Sequence, residues 1–217
     1  MTRFSILLAF IVFIGCSTTE NIKIINSEFE NSNYAEGKYV GLVGSPSKIY
    51  KSFNDKWNRL NDDEKIELAK NGNLIPKFYA SMKLINSKSN KILDVFKENI
   101  SDDRNITYLD GDVQKPTEIS IEMVLLVNQL IENKKKKDSL SVKNSIDNLT
   151  RRREEFKQMS EKGEIERPGF LEYLDDEINT LLEFENWTLQ ELIDIKKVME
   201  LEIKKNKKSS NGLLQTI

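Results

Sequence analysis

From residue 47 onward, apolar residues recur at three- and four-residue steps, the period of amphipathic helices. Ile49, Phe53, Trp57 and Leu60 step by four, four and three and predict a helix over 47–60. Asn61-Asp62-Asp63-Glu64 predicts the start of the next. Asn61 is a capping residue, Glu64 follows three positions later, and the acids face the positive end of the helix dipole. Ile66, Leu68 and Ala69 are its apolar residues, and Gly72 is read as a left-handed glycine cap. Pro76 suits the first turn of another helix, with Phe78, Met82 and Ile85 on one face and Ala80 small enough to admit a neighbour. Asn86–Asn90 interrupts the pattern, and Ile92, Leu93, Phe96 and Ile100 resume it.

The second half repeats this grammar. Thr117 caps a helix on Ile119, Met123, Leu126 and Leu130, and Val124, Leu125, Val127 and Ile131 widen its apolar face into a central one. Lys134–Lys137 closes it as a solvated linker, with contact to anionic lipid as the alternative. Val142, Ile146, Leu149, Arg153 and Phe156 predict a long exposed helix. A loop over 162–169 separates it from a helix on Leu171, Leu174, Ile178 and Leu181. Thr188-Leu-Gln-Glu191 is a capping box opening a last helix on Leu192, Ile195, Met199 and Ile203.

Two stretches depart from helical spacing. Gly37–Gly44 is glycine-spaced but lacks the Gly-Lys-Ser/Thr ending of a phosphate loop, and reads as a strand or turn entering a helix. Residues 102–115 are the least helical of the middle: Ile106–Leu109 is a strand candidate and Asp110-Gly111-Asp112 a turn. The carboxylates there raise calcium binding, but they lack the alternating register of an EF-hand loop.

The amino terminus has a different pattern. Phe4–Ile14 is apolar apart from Ser5, follows a single Arg3, and is too short to span a bilayer, which needs ~20 apolar residues. It ends in Phe13-Ile14-Gly15-Cys16, which resembles the bacterial lipobox. The resemblance implies cleavage before Cys16, a lipid anchor on that residue, and a cell-envelope location, with Ser17 favouring the outer over the inner membrane. Residues 16–36 then read as a polar tether, although Ile22, Ile24 and Ile25 leave a short strand as the alternative.

A looser likeness covers 61–100. Leu74–Leu84 followed by Ile92–Phe96 resembles a HEAT-type helix pair, with Lys77, Ala80 and Leu84 at the matching positions. It implies stacked helices and a protein-binding surface. The expected fold is therefore mostly all-α: a multi-helix bundle or short HEAT-like array, with at most one minor strand or hairpin near 104–113. Its parts are a signal peptide over 1–15, the tether, helical blocks over 37–133 and 139–206, and a frayed tail over 207–217.

Composition narrows the chemistry. The 217 residues contain no His and one Cys, so a Ser-His-Asp triad, a Cys-His pair, an HExxH zinc site and an intramolecular disulfide are all excluded. A net charge of −2 carries no signature of nucleic acid. No cofactor or metal is called for, and no catalytic residue is marked. Asp102, Asp103, Asp110, Asp112, Asp175, Asp176 and Glu177 are acids a carboxylate hydrolase would draw on, yet nothing singles out a pair. Tyr34, Tyr39, Tyr50, Phe53, Trp57, Phe78 and Tyr79 are either core or the lining of a ligand cavity. The expected function is a non-catalytic, membrane-anchored binding or scaffold module with an envelope protein as partner. Small-ligand or lipid binding is the alternative, and a hydrolase comes third.

Overall fold

The computed structural model describes residues 19–41, 45–136, 139–163 and 169–214. These form nine helices and a four-stranded mixed sheet, 69% helix and 12% strand. In chain order they are α1 (Glu20–Glu28), β1 (Tyr34–Val40), β2 (Ser45–Pro46), α2 (Lys48–Trp57), α3 (Asp62–Asn71), α4 (Leu74–Asn86), α5 (Ile92–Asn99), β3 (Ile106–Gly111), β4 (Val113–Thr117), α6 (Ile119–Lys136), α7 (Ser139–Glu161), α8 (Phe170–Glu185) and α9 (Leu189–Leu214).

The helix starts follow the local chemistry. Ser47 accepts the Tyr50 N–H at 2.9 Å. Asn61 and Glu64 complete a reciprocal capping box, both bonds 2.9 Å, and Thr188 and Glu191 form another. The α3 stop differs from expectation. Gly72 sits at φ −65°, ψ 166°, which is extended rather than left-handed. Glycine is needed there for space, because a Cβ would stand 2.5 Å from the Leu68 carbonyl oxygen.

The all-α expectation is overturned by the sheet, whose strand order is β2-β1-β3-β4. β1 runs parallel to β3, Ala35 opposite Tyr108, and the outer pairings are antiparallel. Four helices, α2 to α5, lie between the two central strands in sequence, so no local period announces their pairing. The inward positions of β1 are Ala35 and Gly37, too small to leave an apolar alternation. The hairpin near 104–113 exists as β3–β4, turned at Gly111 with φ +62°, and is half of a larger sheet.

The stretch read as a tether is also structured. α1 buries Ile22 and Ile25, and Phe29 follows them into the core. Asn21 donates to Glu64 at 3.1 Å, tying α1 to the α3 cap. Nor do the two helical blocks divide the core. Trp187, Leu192 and Met199 share one apolar cluster with Phe53, Phe78, Phe96 and Met123, and α9 continues to Leu214 where a frayed tail was expected. The α7–α8 pair packs largely on itself, through buried Val142 and Leu174 and the Phe156–Phe170 ring contact at 4.6 Å. Among the described residues no helix is long and apolar enough to cross a membrane.

Candidate functional site: a polar cleft beneath α8

An open cleft of about 870 Å³ lies between α8 and the face made by β1, β3, α2, α4 and α6. Its floor is aromatic. Tyr79 packs edge-on against Tyr50 at 5.6 Å, and Phe78 meets Tyr108 at 5.1 Å. The Tyr79 hydroxyl accepts the Glu36 N–H and donates to the Glu36 carbonyl, both at 2.8 Å, which fixes β1 on α4.

The lysines of the cleft are already engaged. Lys83 donates to Asn54 Oδ1 at 2.6 Å and stands over the Tyr50 ring. Lys115 pairs with Glu122 at 3.0 Å and stands over Tyr108. Glu122 also accepts the Thr117 hydroxyl at 2.8 Å. Lys38 pairs with Asp176 at 2.7 Å.

That last pair is one of several that seat α8. At its N-terminal end, Tyr39 donates to Asp176 at 3.1 Å and packs edge-on against Tyr173 at 5.5 Å. Burial pushes the Tyr39 phenol above its ordinary pKa, and the Asp176 carboxylate adds to the shift, so Tyr39 stays a protonated donor at neutral pH. At the C-terminal end, Lys134 reaches Glu185 at 3.3 Å. Just beyond α8, buried Trp187 donates its indole N–H to the Ile85 carbonyl at 3.0 Å. Between these attachments α8 passes over the cleft with Asn179 and Leu182 on its lining.

Several lining side chains have no partner among the described residues. Asn58, Asn86, Gln129, Asn179 and Asn186 all line the cleft, and none of their side chains makes an intramolecular hydrogen bond among the described residues. Each carboxamide offers two donors and one acceptor oxygen. Asp110 also lines the cleft and belongs to no ion pair of the described residues. It sits against Gly37, where a Cβ would lie 3.1 Å from its Oδ1 and 3.4 Å from both the Leu109 carbonyl oxygen and the Tyr108 hydroxyl. No family model, curated protein or solved structure matches the chain.

The residues singled out in the sequence scatter. Cys16 lies outside the described residues, as do the last three positions of the Gly37–Gly44 run and the end of the lysine run at Lys137. Asp102 is held by Lys77 at 3.0 Å and by Arg104 at 2.6 Å, outside the cleft lining. Asp175 pairs with Arg153 on α7. Only Asp110 and Asp176 of those acids reach the cleft, and Asp176 is bound to Lys38 and Tyr39. Among the described residues no group of three or more acids is gathered to hold a metal. Of the aromatics, Phe53 and Trp57 are core, while Tyr50, Phe78 and Tyr79 both pack the core and floor the cleft. The carboxamides were passed over. Asn58, Asn86 and Asn186 stand at the C-terminal ends of α2, α4 and α8, where Asn reads as a helix stop. Asn71 and Asn99 end α3 and α5 in the same way and lie outside the cleft lining, so a helix-ending Asn was only a partial signal.

Proposed function

We propose that this chain is a membrane-anchored, non-catalytic binding module of the bacterial cell envelope. An acylated Cys16 holds it to the membrane, the outer one by the Ser17 rule, and an envelope protein is its partner in the cleft beneath α8. The observation that carries the reading is the set of five carboxamides, four of them exposed to solvent, that line one cleft with no side-chain partner among the described residues. Concave sites with a few convergent polar groups on a rigid scaffold are where ligands are held. A lipid tail suits this lining poorly, since burying the amides and Asp110 against hydrocarbon would cost several kcal/mol, on the order of 1–3 for each unpaired group.

The test uses a photo-crosslinking amino acid in cells, at Gln129 in the cleft or at Leu201, exposed on α9 and outside the lining. The reading expects a discrete protein adduct from position 129 and none from 201, and it expects Cys16→Ala to release the protein from the membrane fraction. No adduct from 129, or the same adducts from both positions, contradicts the cleft. Continued membrane association of Cys16→Ala contradicts the anchor.

A further inference from the structure

We propose that the occupant of the cleft is a short extended peptide segment with a basic side chain between apolar ones. This rests on the cleft being a binding site and names what it takes.

Charge points first to the sign. Three lysines line the cleft, Lys38, Lys83 and Lys115, against five carboxylates, and each lysine is bound to a group of the protein. Among the described residues Glu36 and Asp110 are the two without a cation; Glu36 accepts the Ser47 hydroxyl at 2.6 Å, which leaves Asp110, exposed at the cleft, with no such partner. Asp110 stands beside the Tyr108 hydroxyl and the Leu109 carbonyl over Gly37, three oxygens converging where a side chain would otherwise fill the space. A guanidinium or ammonium meets such a group with charge-assisted hydrogen bonds, and an anion is repelled by it. Burial, with the Asp110 and Glu122 carboxylates adding, raises the Tyr108 pKa, so its hydroxyl remains neutral.

The apolar contribution separates a peptide from a sugar. Leu125 on α6 and Leu182 on α8 are 46% and 48% exposed and both line the cleft. Two exposed leucines beside free carboxamides suit a chain of alternating apolar side chains and backbone amides. A glycan would instead stack on open aromatic faces. Here the Tyr50 and Tyr108 rings carry Lys83 and Lys115 over them, and Tyr79 is 3% exposed.

Size fits as well. Asp176 and Glu185, the anchored positions of α8, are nine residues apart, about 13 Å at a rise of 1.5 Å per residue. An extended chain covers that in roughly four residues at ~3.3 Å each.

The probe is a fluorescein-labelled peptide, Gly-Leu-Lys-Leu-Lys-Leu-Gly, read by anisotropy against the full chain, with the same peptide carrying Glu for Lys and, separately, fluorescein-labelled chitotetraose. The variants are Asp110→Asn and Asp112→Asn, the second being the same charge change on the exposed turn outside the lining. The proposal expects saturable binding of the lysine peptide, none of the glutamate peptide, roughly tenfold weaker binding for Asp110→Asn, and no change for Asp112→Asn. Equal binding of both peptides, or equal effects of both variants, overturns it. Chitotetraose binding without the peptide overturns it and leaves the cleft standing as a site. Binding of neither probe overturns the peptide assignment, and the adduct at position 129 then decides separately whether the cleft is used at all.

Discussion

The Tyr79 hydroxyl bonds both the N–H and the carbonyl of Glu36, at 2.8 Å each, across 43 residues of chain. Glu36 lies on β1 just before the irregularity that separates its β3 pairing at Leu109 from the later pair Val40–Gly111. Tyr79 therefore substitutes for a neighbouring strand at this point. Tyr79→Phe keeps the ring packing and removes both bonds. The expected loss is about 1–3 kcal/mol, the cost of leaving partly buried backbone groups unpaired. Urea denaturation, read as a lower midpoint at unchanged slope, checks it.

Asp102 predicts the acid limb of stability. Hydrogen bonding to Arg104, then to Lys77, holds its carboxyl well below the usual carboxylate range against the opposing effect of burial. A depressed folded-state pKa stabilises the fold above the unfolded value of about 4, and that contribution is lost as pH falls through the lower folded value. Asp102→Asn should flatten the decline of stability below about pH 4. It should also destabilise at pH 7 by about 3–5 kcal/mol, because Lys77, 6% exposed, is left without its counter-charge. Thermal melts from pH 2 to 7, on both proteins, read the two effects together.

Gly72 gives a steric prediction. Its dihedral angles are open to any residue, so Gly72→Ala should be harmless by backbone conformation alone. The 2.5 Å approach of a Cβ to the Leu68 carbonyl oxygen argues otherwise. The expected destabilisation is about 1–3 kcal/mol, in the range of overpacked sites. A melting temperature equal to the parent's would refute the close approach.

Asp176 governs how firmly α8 covers the cleft. Asp176→Ala removes its bonds to Lys38 and Tyr39 and leaves Trp187 seated on Ile85. Amide exchange should quicken in the N-terminal half of α8 and in α7, while α4 and α6 keep their protection. Global stability should change by about 1 kcal/mol or less, as expected for partly exposed pairs.

Helices, caps and the central role of α6 were legible in the chain because each is written within a few residues. Asn61 and Glu64 announce one start and Thr188 and Glu191 another. The sheet was not, since β1 joins β3 across α2 to α5 and hides its inward face in Ala35 and Gly37. α1 was misjudged because a single turn bearing Ile22 and Ile25 among Asn, Lys and Ser carries too little hydrophobicity to separate it from a linker. The cleft was half visible: its aromatics were noted, but whether Phe53 or Tyr50 faces core or solvent depends on helices distant in sequence. The carboxamides stayed hidden because an Asn that ends a helix and an Asn that awaits a ligand look alike until the fold places several of them together.

The most direct measurement of the central claim follows the side-chain amide resonances of Asn and Gln by NMR while the lysine peptide, and then chitotetraose, is added to the full chain. With at least one probe, the signals of Asn58, Asn86, Gln129, Asn179 and Asn186 should move together and saturate at a common affinity. Asn99, whose amide is buried against Ser81, and Asn71, bonded to Glu67 outside the cleft, should stay in place. A probe that binds while the cleft resonances never move, or move no more than that of Asn71, would contradict the cleft as the binding site.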